Sequence, residues 1–113
     1  MPWIVKVREK FSSAHFLKGY KGKCENIHGH NYEVEVRIKV EKLPESGFVY
    51  DFVEIKNYLK SILPDHQFLN EIFDFNPTAE ELARWIFKKM KEKYPVISVE
   101  VWEEKNSSAE YFE

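Results

Sequence analysis

A chain of 113 residues has room for one domain, here residues 1–113, and one modest core. With 43% apolar and 16% aromatic residues it is composed to fold rather than to stay disordered. Nineteen acidic against seventeen basic side chains leave a formal charge of −2, which is not the basic balance of a nucleic-acid binder. A single cysteine, Cys24, excludes an internal disulfide. The N-terminal residues turn charged too soon for a secretory signal, and no apolar run reaches membrane-spanning length. The expectation is a cytoplasmic protein, without membrane or nucleic-acid partners, in which Cys24 is a free thiol.

Residues 3–11 alternate, with Trp3, Val5, Val7 and Phe11 on one side and Lys6, Arg8 and Lys10 on the other. Only Glu9 interrupts the apolar side, and the pattern predicts a strand. Residues 12–29 hold three glycines, two serines and several lysines, and read as one long loop, a kind that tends to be functional. From Tyr32 the alternation is nearly unbroken: Tyr32, Val34, Val36, Ile38 and Val40 against Glu33, Glu35, Arg37, Lys39 and Glu41. That is a half-buried antiparallel strand.

Asp51 followed by Glu54 resembles a capping box, and Ile55, Tyr58, Leu59 and Ile62 form a helical stripe ended by Pro64. A second helix opens at Thr78, with Glu81 three residues on and Ala79, Leu82, Ala83, Ile86 and Met90 on its inner face. The last strand carries Ile97, Val99 and Val101 inward, and residues 109–113 add a short edge strand. The predicted class is α+β: a four-stranded antiparallel sheet with two helices on one face, in the order strand, strand, helix, helix, strand, strand.

His28 and His30 share the even register of Tyr32 and Val34, so both imidazoles point inward from positions ~7 Å apart at ~3.3 Å rise per residue. Gly29 between them is expected to let the backbone bend so that the rings converge. If the first two strands pair as a hairpin, His15 returns beside them. Three neutral imidazoles around one ion make a catalytic zinc site with a fourth position open. Cys24 is the rival for that position, which would make the site a closed, structural one in a zinc-stabilised binding or assembly module. Asp65 directly before His66 can orient an imidazole for proton transfer. Glu103 continues the inward register of Val101, where a carboxylate needs a donor-rich partner such as the paired N–H groups of a purine or pterin edge. Lys18, Lys21 and Lys23 could receive an anionic substrate such as a polyphosphate, and Lys23 would favour the thiolate of its neighbour Cys24.

Taken together, "FSSAHFL", "CENIHGHNY", "VYDFVEIK", "DHQFLN", "NPTAEELA" and "VEVWEE" resemble, in order and over nearly the whole chain, the 6-pyruvoyl-tetrahydropterin synthase family, which includes 6-carboxy-tetrahydropterin synthase of 7-deazaguanine biosynthesis. The resemblance implies zinc ligands at His15, His28 and His30, a proton-abstracting Cys24 and an Asp65–His66 relay. It places a pterin-anchoring glutamate at Glu103, with Thr78 and Glu80 as further ring contacts. It also implies a pterin triphosphate substrate and a tunnelling fold in which trimers close into a barrel and stack as a hexamer, with sites between subunits. The position after Glu103, commonly threonine in the family, is Glu104 here. Three residues between Cys24 and His28 resemble the carboxy branch rather than the pyruvoyl branch. Glu25 stands where a folate branch, forming 6-hydroxymethyl-dihydropterin, uses a glutamate base.

Overall fold

The computed structural model describes residues 2–19 and 26–113. The elements run β1 (Trp3–His15), β2 (His28–Val40), α1 (Phe52–Ile62), α2 (Leu69–Ile72), α3 (Ala79–Lys91), β3 (Val96–Glu104) and β4 (Ser107–Phe112). The four strands form one antiparallel sheet in the order β1-β2-β3-β4, each beside its neighbour in sequence. The helices cover one face, as the α+β pattern requires. Val7, Phe11, Tyr32, Val34, Val36, Val99 and Val101 from the sheet meet Ile55, Leu59, Leu82, Ala83, Ile86 and Met90 from α1 and α3 in one buried cluster. Among the described residues no helix is long and apolar enough to cross a membrane.

Both long helices begin where their caps predict. The Asp51 carboxylate accepts from the Val53 amide at 2.9 Å, and the Thr78 hydroxyl accepts from the Glu81 amide at 3.1 Å. Lys88, Lys89 and Lys91 then occupy the last turn of α3, where the helix dipole favours cations.

Four details differ from the sequence-based expectation. β1 does not stop at Phe11 but continues through Ser12, Ser13 and Ala14 to His15, so the first histidine lies on the sheet rather than in the loop. Serines are poor evidence for a strand, yet Ser13 is buried and paired opposite His30. Second, a single helical turn, α2, follows residue 68; with four residues it is too short to show periodicity. Third, Ile97 is not an inner residue of the regular strand. Arg37 pairs with Ser98 and Ile38 with Val96, so Ile97 is the extra residue of a bulge and Val96 takes the core position. Fourth, Trp3, at the free end of β1, is 43% exposed despite its place in the apolar register.

The other face of the sheet is organised by charge. Arg8, Glu35, Glu100 and Glu110 lie side by side across all four strands. Arg37 neutralises the row: its guanidinium reaches Glu35 at 2.5 Å, Glu100 at 2.8 Å and Glu110 at 2.6 Å, while Arg8 holds Glu35 from the other side at 2.8 Å. Burial alone would raise the Glu100 carboxyl, but hydrogen bonds from Arg37 and Ser108 outweigh it and hold the group below its ordinary value. A carboxyl depressed in the folded state adds stability above the ordinary carboxylate range, and that stability is lost as pH falls through the depressed value.

Arg37→Ala is therefore expected to cost about 2 kcal/mol at pH 7, because three carboxylates lose their shared cation. The deficit should shrink as acid neutralises those carboxylates. Urea unfolding of both proteins at pH 7 and pH 3 measures the two gaps, and an equal gap at both would remove the charge explanation.

Candidate metal centre

The register of β1 on β2 sets His15 directly opposite His28, and His30 follows two residues later on the same face. The three rings meet edge to face, with centroids 4.6 Å apart for His15–His28, 4.8 Å for His28–His30 and 5.0 Å for His15–His30. Gly29 plays no special part in this convergence. A Cβ there would meet only the Ser13 carbonyl oxygen, at an ordinary 3.8 Å, so the expected bend is not what brings the rings together. Adjacency across the hairpin and the common direction of i and i+2 side chains suffice.

The hydrogen bonds fix the tautomers. His15 Nδ1 lies 2.7 Å from the Pro77 carbonyl oxygen, and His28 Nδ1 lies 2.7 Å from that of Asn26. A carbonyl only accepts, so each Nδ1 carries a proton, and in the neutral ring each Nε2 keeps a lone pair. Those two Nε2 atoms face each other at 3.0 Å. Two lone pairs at that distance repel unless a proton or a metal cation lies between them. The proton is disfavoured: burial lowers the affinity of His15 for it, more than the Pro77 contact and the charge of Glu103 raise it. Burial also lowers that of His30.

His30 Nε2 is buried with no hydrogen-bond partner; the nearest carboxylate oxygen, from Glu103, is 3.3 Å away but not aligned for a bond. One donor atom from each ring lies within 4.8 Å of the others. In a tetrahedral site with metal–nitrogen bonds of about 2.0–2.1 Å, neighbouring ligand atoms stand ~3.3 Å apart; the 3.0 Å His15–His28 spacing is close to this, and the third imidazole lies near enough to join them around a divalent metal. Pro77 and Asn26 supply the outer contacts that usually orient metal-binding imidazoles.

Glu103 reaches this centre through a second bulge. Trp102 pairs with Ser108 and Glu104 with Ser107, leaving Glu103 unpaired with its carboxylate turned towards His30. Tyr32 lies beneath the rings, its hydroxyl 3.2 Å from His15 Nδ1. Burial, and then the charge of Glu103, push its phenol well above the ordinary tyrosine value, so it stays protonated. Thr78 caps α3 immediately after Pro77, and Glu80 is exposed in the first turn of that helix.

Asp65 and His66 sit on the turn between α1 and α2. Asp65 accepts from the Ser12 amide at 2.8 Å and from His66 Nδ1 at 2.9 Å, and these contacts hold its carboxyl below the ordinary value. His66 has φ +55°, the left-handed region, and its side chain is 83% exposed. With His30, Ser12 and Asn31 it lines a cleft of about 340 Å³. Cys24, Glu25, Lys21 and Lys23 lie outside the described residues.

Sequence reasoning missed the groups that orient the centre. The Pro77 carbonyl left no signal, because every residue carries one. Asn70 and Asn76 had a faint one, as amides beside turns. Asn70 accepts from the Phe16 amide and donates to the Phe16 carbonyl, at 2.9 and 3.0 Å. Asn76 grips Lys18 in the same way at 2.9 and 3.1 Å.

The family model described as 6-pyruvoyl tetrahydropterin synthase matches residues 4–113. The chain belongs to that family. Within it, the chain is 37% identical over 120 residues to the 6-carboxy-5,6,7,8-tetrahydropterin synthase of a Synechocystis strain, covering 97% of this chain and 93% of the relative. It is 34% identical over 90 residues to the dihydroneopterin monophosphate aldolase of Pyrococcus furiosus, covering 78% and 75%. The family fold is matched by the Caenorhabditis elegans 6-pyruvoyl tetrahydropterin synthase structure, with a TM-score of 0.88, 29% identity, and coverage of 100% of this chain and 96% of that one.

Titration with Co²⁺ or Zn²⁺ is expected to show one site per chain. His28→Ala, which removes a half-buried ring rather than a core one, should weaken it by about 100-fold or more, beyond the loss of an outer contact, with little change in unfolding of the metal-free protein. Unaltered affinity in that variant would exclude the triad as the site.

Proposed function

We propose that the chain is a zinc-dependent lyase that converts 7,8-dihydroneopterin triphosphate to 6-carboxy-5,6,7,8-tetrahydropterin. The observation that carries this reading is the inward-facing Glu103 beside three converged imidazoles, in a chain 37% identical to a relative of that name. Zinc suits an all-imidazole donor set. When bound, it polarises oxygens of the substrate side chain and so makes the adjacent C–H more acidic.

The chain's own residues supply the rest. Glu103 accepts hydrogen bonds from the N–H donors of the pterin edge and sets the ring's position, with Thr78 and Glu80 as further ring contacts. Cys24, as thiolate, takes the proton from the side-chain carbon. His66, oriented by Asp65, returns a proton to the pterin. Over the whole reaction water is consumed, and triphosphate and acetaldehyde leave. The product class suits the 7-deazaguanine route to modified tRNA bases.

A second reading has its own support. Glu25 follows Cys24, and one of the relatives is a dihydroneopterin monophosphate aldolase. A retro-aldol cleavage using Glu25 as base would break the C1′–C2′ bond of the side chain and give 6-hydroxymethyl-dihydropterin and glycolaldehyde triphosphate. Formation of the 6-pyruvoyl product is the remaining outcome within the family.

The working unit we propose is a homo-oligomer, a hexamer of two stacked trimers. The outer edge of β1 over residues 3–11 and that of β4 carry no strand partner among the described residues. Beside the β1 edge, Trp3, Ile4, Leu43, Phe48, Val49 and Phe52 line an exposed apolar groove of about 600 Å³. Pairing of edges between copies would close the sheets into a barrel and cover backbone that is otherwise open to aggregation. Sedimentation of the zinc-loaded protein is expected to give six chains; a monomer at micromolar concentration would remove this part of the proposal.

Incubation of the zinc-loaded protein with dihydroneopterin triphosphate, with products separated by mass, tests the reaction. The expected product is 6-carboxytetrahydropterin, with acetaldehyde released. Cys24→Ala should lower turnover by ~10²–10⁴-fold, the usual worth of a positioned base, with zinc still bound. Formation of 6-hydroxymethyl-dihydropterin, lost in Glu25→Ala instead, would overturn this reading in favour of the second.

A further inference from the structure

His66 occupies a conformation that its own side chain does not favour. A φ of +55° is uncommon for any residue but glycine, even though histidine visits it more readily than most, and a histidine held there draws support from its surroundings. The turn Pro64–Asp65–His66–Gln67 places His66 at the third position, where a type II turn requires positive φ. What holds this turn is β1. The Ser12 amide donates to Asp65, and the Ser12 carbonyl accepts from the His66 amide at 2.6 Å. The Ala14 amide donates to the Gln67 carbonyl at 3.0 Å.

Between these contacts lies the side chain of Ser13. Its hydroxyl donates to the Pro64 carbonyl and accepts from the Gln67 amide at 3.1 Å, bridging the first and last residues of the turn. Ser13 is 7% exposed, so water does not readily replace the bridge. The same residue pairs opposite His30 on β2. One short stretch of β1 thus grips the His66 turn along its edge and the metal-binding strand along its other side.

We infer that Ser13 is a positioning residue: its hydroxyl clamps the turn so that the His66 imidazole is presented at a fixed place relative to the histidine triad. The other members of the grip are backbone groups and the Asp65 carboxylate, which already belongs to the proposed relay, so Ser13 is the point outside that relay at which the sequence can loosen it. Its contribution to turnover rests on the proton-transfer role proposed above for His66; its contribution to the turn does not.

Two arms separate these. The first reads the backbone: in wild-type protein the His66 Cα and Hα chemical shifts should report positive φ, Ser13→Ala should lose that signature, and Ser13→Thr, which keeps a hydroxyl, should retain it. An unchanged signature in Ser13→Ala overturns the clamp. The second reads catalysis on the zinc-loaded protein. Ser13→Ala should lower kcat by about 10-fold, a fraction of the ~10²–10⁴-fold a positioned proton donor supplies, with KM and zinc content held and Ser13→Thr restoring the rate. In a His66→Ala background the same substitution should cost nothing further; an equal loss in both backgrounds would show general damage and overturn the positioning role. Ser13→Cys keeps the volume and weakens the bridge, and it takes the place of an alanine variant that fails to fold. If the wild-type chain forms no pterin product, the proposed function falls while the backbone arm still decides whether Ser13 holds the turn.

Discussion

The pairing of β1 with β2 is the constraint on which everything else rests. Side chains alternate across a strand with a period of two, so a slip of one residue would turn every inward group outward. The register that sets Phe11 beside Tyr32 and Val7 beside Val36 in the core also sets His15 opposite His28. Core and candidate metal centre are two stretches of one ladder, and the burial of several large apolar side chains holds the imidazoles in place. This matters because the rings alone would not stay together: their Nε2 lone pairs oppose one another, and only the surrounding fold, or a cation between them, makes the arrangement stable.

The segment entering α3 ties that ladder to the helical layer. Asn76 grips Lys18 through its amide, Pro77 fixes the tautomer of His15 through its carbonyl, and Thr78 caps the helix. Three consecutive residues thus serve loop, candidate ligand and helix. A shift of α3 against the sheet would disturb the His15 contact along with the packing of Leu82 and Ile86. The two faces of the sheet differ in kind. The inner one is dry and ends in the histidines, whereas the outer one is a charge lattice whose three glutamates depend on Arg37.

Two irregularities lie where the chemistry is proposed, although the bulge at Ile97 does not. The bulge at Glu103 leaves a carboxylate facing His30, and the left-handed His66 is held against the edge of β1. The interior of the sheet, by contrast, is regular from Tyr32 to Val36. A regular ladder presents side chains only at right angles to itself. Glu103 keeps the inward direction of Val101 and is left unpaired by its bulge, whereas the His66 imidazole is aimed by a local departure whose cost the rest of the core offsets.

Much of this was legible in the chain itself. Alternation fixed β2 and the first half of β1, caps and stripes fixed α1 and α3, and the shared parity of His28, His30 and Tyr32 pointed the imidazoles inward. These are local consequences of periodicity and hydrogen-bonding chemistry, which a sequence carries residue by residue. The continuation of β1 through two serines, the bulge at Ile97 and the single turn of α2 were not, because each depends on what a partner segment offers. The same holds for the Pro77 carbonyl on His15 and the Ser13 bridge across the His66 turn: such bonds join groups 62 and roughly 50 residues apart. Periodicity could say which way the histidines face; for His15 only the folded chain decided which nitrogen keeps its lone pair, because that depends on a carbonyl 62 residues further along.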